Sequence, residues 1–252
     1  MKYILLLLIF LTSQVHAGYA VYQYDSNQYI AQEDATSIRS IASITKLFTA
    51  FTVIKGGQAL DGTVTVDCLS RGHVTKGTEM TRRDLLIAIL VVSDNCAAET
   101  LANTYPGGFD KFLQDREFLL RQMGLQNTHL RDATGLGVFN LSTINDLVSF
   151  LHIAYQNETL RTIAGIPEAK LTAFKKGRTI TITVRNTNPA IFNHSEIVMS
   201  KTGFTNAAGR CVLMLVKRLE NLYAVVVLGE TSLKSRTRHV EKLLAINETV
   251  AR

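Results

Sequence analysis

Ser43 stands three residues before Lys46, Ser93 two before Asn95, and Lys201, Thr202 and Gly203 follow one another. On a helix, residues three apart share a face about one turn from each other, so the Lys46 amine can take the Ser43 proton. A serine hydroxyl is a weak nucleophile at neutral pH and needs an adjacent base. A lysine serves as that base only when burial lowers its ammonium pKa. The positive end of a helix helps, because it disfavours charged lysine and stabilises an oxyanion. Ser93 fits a proton relay and Asn95 an amide-binding group, while Asp94 between them fits a local helix cap facing away from the cleft. Lys201 supplies positive potential, the Thr202 hydroxyl can hold a carboxylate, and Gly203 lets substrate backbone approach closely. Phe204 offers its backbone N–H as an oxyanion donor beside that of Ser43. Each motif alone has a plainer explanation as a cap, a surface lysine or a strand exit. All three in this order point to covalent serine catalysis.

The elements that must position these residues are legible around them. After Ser43, the run Leu47, Phe48, Ala50, Phe51, Val53, Ile54 leaves almost no polar face, and Gly56-Gly57 ends it, which predicts a buried central helix. Thr81 to Asp84 has capping-box spacing before Leu85 to Leu90, so a second apolar helix leads into Ser93. Helical patterns follow over 109–123 and 145–155. Beyond Lys176 the period becomes alternating: Ile180, Ile182 and Val184 predict a half-buried strand. Further strands are expected over 196–202, 211–216 and 222–228, a strand pair over 18–24 and 29–32, and a closing amphipathic helix over 232–250. Strands at both ends and helices in the middle predict an α+β fold of two lobes. An antiparallel sheet with flanking helices would receive an all-helical lobe at about 65–165, with the motifs in the cleft between.

The chain has 252 residues, 46% of them hydrophobic, enough for a full core. Residues 1–17 read as a signal peptide: Lys2, an apolar run from Ile4 to Leu11, and Val15-His16-Ala17 as the cleavage pattern. The run is far shorter than the roughly 20 residues a spanning helix needs, so no stable membrane anchor is expected. The remainder, 18–252, reads as one domain, exported. The net charge of +6 suits an anionic partner such as cell-wall polymer, but no arginine cluster with interleaved aromatics suggests nucleic acid. Lys234, Arg236 and Arg238 read as a solvated helix face. Three cysteines, Cys68, Cys96 and Cys211, leave at least one without an intramolecular partner. Cys96 and Cys211 read as buried small hydrophobes, and a disulfide between two of the three stays open. No zinc spacing, no metal or cofactor motif, and no histidine triad is found.

The chain resembles the penicillin-binding D-Ala-D-Ala peptidases, in particular the small D-alanyl-D-alanine endopeptidases of the penicillin-binding protein 7 type. Besides the three motifs, the likeness rests on Ile41 to Leu47, Tyr105-Pro106-Gly107-Gly108, Thr134-Gly135-Leu136 and Ser200 to Cys211. It implies a periplasmic enzyme acylated at Ser43 by peptidoglycan stem peptides and then hydrolysed by water. It also implies β-lactams as covalent inhibitors and no cofactor. Relatives that act as carboxypeptidases often carry a second β domain; here only one helix follows Leu228. Class A β-lactamases need a glutamate in a loop after the second motif, within Glu-x-x-x-Asn, and no such pattern is read between Asn95 and Lys201, so slow deacylation of penicillin is expected. The alternatives are a D-Ala-D-Ala carboxypeptidase and, more distantly, a β-lactamase or a non-catalytic wall-binding protein. Thr202, with Arg210, is expected to grip the carboxylate beside the scissile bond.

Overall fold

A computed structural model describes residues 17–250, with side chains as far as Ile246. The leader read over 1–16 lies outside the described residues. In chain order the elements begin with β1 (Gly18–Gln23), β2 (Gln28–Glu33), β3 (Arg39–Ser40), α1 (Thr45–Lys55), β4 (Thr63–Thr65) and β5 (Glu79–Thr81). Helices α2 (Arg82–Val91), α3 (Asn95–Asn103) and α4 (Gly108–Gln122) follow, then β6 (Leu141–Ser142), α5 (Ile144–Tyr155) and α6 (Glu158–Ala164). The chain returns to strands with β7 (Glu168–Lys175), β8 (Arg178–Arg185), β9 (Ile197–Thr205), β10 (Gly209–Arg218) and β11 (Asn221–Glu230), and ends in α7 (Leu233–Val250).

The main sheet is antiparallel with order β2-β1-β11-β10-β9, so the first strand closes on the last through the pair Gly18 with Leu228. β10 and β11 are apolar on both faces because both are covered. Val212, Met214 and Val216 alternate toward one core with Val240, Leu243 and Leu244 of α7. Cys211, Leu213 and Leu215 point the other way, into the larger core with α1 and α5. α1 is buried nearly all round, as its sequence predicts, and the Phe48 ring stacks on Phe150 of α5 with centroids 3.8 Å apart.

Three sequence expectations need correction. The strand over 178–185 does not extend the main sheet: it is the edge of a separate sheet ordered β4-β5-β7-β8, whose other members are short or mixed in pattern. Ser43 lies in a 3-10 turn over Ala42–Ile44, and the α-helix starts only at Thr45. Cys96 is bonded to Cys68, while Cys211 is the free, buried thiol. No described helix is long and apolar enough to cross a membrane.

Candidate active site

Lys46 has no solvent exposure, and its Nζ donates to three oxygens: Ser43 Oγ at 3.0 Å, Asn95 Oδ1 at 2.6 Å and the Thr134 carbonyl at 2.6 Å. Burial pushes its ammonium pKa down, against the fields of Asp132, Asp94 and Glu99, to about 7. An amine balanced there spends much of its time neutral at physiological pH, as a base for Ser43 requires.

Three segments fix this pair. The turn carrying Ser43 is squeezed between two glycines. A Cβ on Gly135, at φ +80°, would run into the Ala42 carbonyl and stand 2.9 Å from the Ser43 nitrogen; a Cβ on Gly203 would stand 3.0 Å from it. Ala42 itself sits at φ +46°, a conformation an L-residue adopts only at a cost. The loop holding Thr134 is tied down from both ends. The Asp132 carboxylate accepts from the backbone N–H groups of Thr134, Gly135 and Gly137, from the Thr134 hydroxyl and from the Asn140 amide. Buried Arg116 of α4 donates to the carbonyls of Leu130 and Asp132. Burial works to raise the Asp132 pKa, but the hydrogen bonds outweigh it and hold the carboxyl below its usual range.

The second motif is a sharp junction between α2 and α3. Ser93 sits at φ +62° and accepts from Lys201 Nζ at 2.8 Å. No direct hydrogen bond joins it to Ser43 or Lys46 among the described residues. Asp94 caps α3 through the Ala97 N–H at 2.8 Å and also accepts from the N–H groups of His73 and Val74. Its carboxylate is taken up by these backbone groups, in the local role read from sequence. The disulfide to Cys96 and the Glu99 carboxylate, which accepts from Leu69 and Ser70 N–H, strap the loop over 66–78 to α3.

Lys201 on β9 is also fully buried, and its second bond goes to the Thr202 carbonyl at 2.8 Å. Burial first, then the fields of Lys46 and Arg236, pull its pKa well below that of an ordinary lysine. Thr202 shares a hydroxyl contact of 2.6 Å with Thr187. Phe204 is half exposed at the cleft edge, with the Arg210 guanidinium 3.7 Å above its ring.

Arg236 corrects the reading of α7 as a solvated face. Lys234 and Arg238 are exposed, but Arg236 is 4% exposed and its side chain makes no hydrogen bond or ion pair among the described residues. Its spacing gave the signal: with Val240, Leu243 and Leu244 it falls at i, i+4, i+7 and i+8, the buried stripe of a helix. A buried guanidinium beside Lys201 and Arg210 is an electrostatic vacancy for an anion.

The letters Glu-x-x-x-Asn do occur after the second motif, at Glu99 and Asn103, which the sequence reading missed. They lie on α3 rather than in a loop, and Glu99 is spent on Leu69 and Ser70.

A serine beside a buried, part-neutral lysine, at the meeting of a helical lobe and an antiparallel sheet, is the arrangement of an acylating serine enzyme. The chain belongs to the D-alanyl-D-alanine carboxypeptidase family of serine peptidases, whose pattern it matches over residues 11–232. It is 35% identical to the D-alanyl-D-alanine endopeptidase of Escherichia coli K12 over 199 residues, covering 75% of this chain and 63% of that one. It is 38% identical to the D-alanyl-D-alanine endopeptidase of Pseudomonas aeruginosa over 182 residues, covering 69% and 58%. The chain thus spans less than two thirds of the length of these relatives. The crystal structure of the Streptomyces K15 DD-transpeptidase superposes with a TM-score of 0.85 at 26% identity, covering 92% of this chain and 96% of that one.

Proposed function

We propose that this chain is an exported DD-endopeptidase that opens D-Ala-containing peptide cross-links of peptidoglycan through an acyl-enzyme on Ser43. The observation that carries it is the 3.0 Å contact between Ser43 Oγ and a buried lysine whose pKa lies at about 7. Ser43 Oγ attacks the D-Ala carbonyl while Lys46 Nζ takes its proton. The oxyanion lies between the N–H groups of Ser43 and Phe204. Collapse breaks the amide bond, and the proton returns to the leaving amine by way of Ser93, whose hydroxyl is oriented by Lys201. Water then attacks the ester, Lys46 again accepting the proton, and D-Ala is released as a carboxylate. Asn95 binds the peptide amide; Thr202, Arg210 and Arg236 hold the carboxylate beside the scissile bond, the last supplied with the counter-charge it lacks.

β-Lactams would acylate Ser43 by the same attack. Glu99 is committed to Leu69 and Ser70, and the adduct should persist. Residues 18–252 would act as one exported peptidase unit once the leader is removed.

The test is mass spectrometry of purified cross-linked muropeptide dimers and pentapeptide monomers incubated with residues 18–252. Penicillin-sensitive conversion of dimers to monomers supports the endopeptidase. Loss of one alanine from pentapeptides alone would make it a carboxypeptidase. Ser43→Ala must abolish hydrolysis and penicillin labelling together; a variant that still cut cross-links would remove Ser43 as nucleophile.

A further inference from the structure

The β7–β8 hairpin breaks local rules in a consistent direction. Its turn is the pair Lys176-Gly177, both at positive φ, +49° and +75°, between the partners Lys175 and Arg178. A two-residue turn of this hand favours Asn-Gly, because asparagine tolerates the left-handed region and lysine does not. Directly across the ladder, Lys175 faces Arg178, a like-charge pair that weakens strand pairing. Over 168–185 the chain carries Lys170, Lys175, Lys176, Arg178 and Arg185 against the single acid Glu168, so four of its six net positive charges sit on this one hairpin. Glu168 is taken by Arg185 at 3.1 Å. Lys170, Lys175, Lys176 and Arg178 make no ion pair among the described residues. Departures from good turn and pairing chemistry concentrate where function demands them.

The hairpin is also joined to the cleft. β8 is an edge strand, its outer side unpaired. Just beyond it Thr187 bonds its N–H to the Val91 carbonyl and its hydroxyl to Thr202. A polymer lying across the reaction centre can therefore continue along a cationic arm. Exposed Phe174 and the threonines 179, 181 and 183 add an apolar and hydroxyl surface beside the charges.

We propose that the β7–β8 tip, Lys175, Lys176 and Arg178 with Lys170, is a docking surface outside the catalytic cleft for the carboxylate-rich peptide strands of insoluble peptidoglycan. The choice of occupant rests on the function proposed above and on charge complementarity. The arm holds wall polymer while the cleft works on one cross-link at a time.

The test uses the variant Lys175→Thr, Lys176→Asn, Arg178→Thr in residues 18–252. It removes three charges, relieves the turn and leaves the catalytic groups untouched. Co-sedimentation with purified sacculi is measured across salt, beside sacculi whose carboxylates are amidated and vesicles containing anionic phospholipid. The wild type should bind native sacculi in a salt-sensitive manner, amidated sacculi at least about tenfold less, and the variant should match that loss. Penicillin acylation and cleavage of soluble dimers should not change, and the melting temperature should hold or rise. Equal sacculus binding by variant and wild type overturns the proposal, as does binding by the wild type to vesicles but not to sacculi. Sacculus binding is read without hydrolysis, so it stands or falls separately: if dimers are not cut but the variant loses binding, the docking surface survives and the endopeptidase reading fails.

Discussion

Gly135 and Gly203 approach the Ser43 amide from two sides, one on the loop after α4 and the other on the active-site strand, each leaving no room for a methyl group. Sheet and helical lobe thus meet on the backbone of Ser43. Gly203→Ala must push against Ser43 N, while Gly135→Ala meets the Ala42 carbonyl and is also strained at φ +80°. We expect both variants to slow acylation by labelled penicillin, and Gly135→Ala to lose in addition about 2 kcal/mol or more of stability. Wild-type acylation in Gly135→Ala would remove the wedge from this account.

The lowered Lys46 pKa predicts a pH profile. Acylation should rise as pH passes through about 7 and level off above it, as the amine loses its proton. The folded-state pKa lies below that of an unfolded lysine, so between roughly pH 7 and 10 the unfolded chain binds more protons and stability must increase with pH. Buried Lys201 shifts in the same direction. Chemical denaturation of the wild type and Lys46→Met at pH 7 and 9 isolates the Lys46 share: the wild type should gain more stability than the variant. Equal gains would mean that Lys46 is an ordinary ammonium.

Arg236 separates binding from folding. Removing a buried, unpaired cation tends to be neutral or stabilising, because its desolvation cost disappears. Arg236→Gln should keep or raise the melting temperature while kcat/KM on dimers falls by about 10- to 100-fold, the loss expected for a charge-assisted contact of about 1.5–3 kcal/mol. A large loss of stability with unchanged kinetics would assign Arg236 to structure alone.

The bond from Cys68 to Cys96 spans a separation of 28 residues and starts one residue after Asn95. A loop of that size is worth about 3–4 kcal/mol on the chain-entropy account. The double variant Cys68→Ala, Cys96→Ala should unfold earlier in denaturant and acylate more slowly, since Asn95 orients Lys46. Unchanged acylation would mean that α3 holds Asn95 without the strap.

How much of this was legible in the sequence follows from what the signals encode. The apolar runs of α1, α2 and the last three strands report burial, and each forms where its period predicts. The three motifs carry residue type and order, and Ser43, Lys46 and Asn95 do converge, as do Ser93 and Lys201. β7 was missed because Ala, Thr and Lys alternate too weakly. The positioning work of Asp132 and Asn140 was invisible because it runs through backbone N–H groups of a loop, which leave no mark on composition. Arg236 was misread because its charge outweighed its place in a helical stripe.

The hydrogen bond from Lys201 to Ser93 ties a sheet strand to a helix junction, and the Lys46 bonds to Asn95 and Thr134 tie the central helix to two more segments of the helical lobe. Ser43 therefore has no buried amine beside it until distant stretches of chain have closed around Lys46. A half-folded chain thus lacks the buried Ser43–Lys46 pair, and completion of the fold is itself the safety catch.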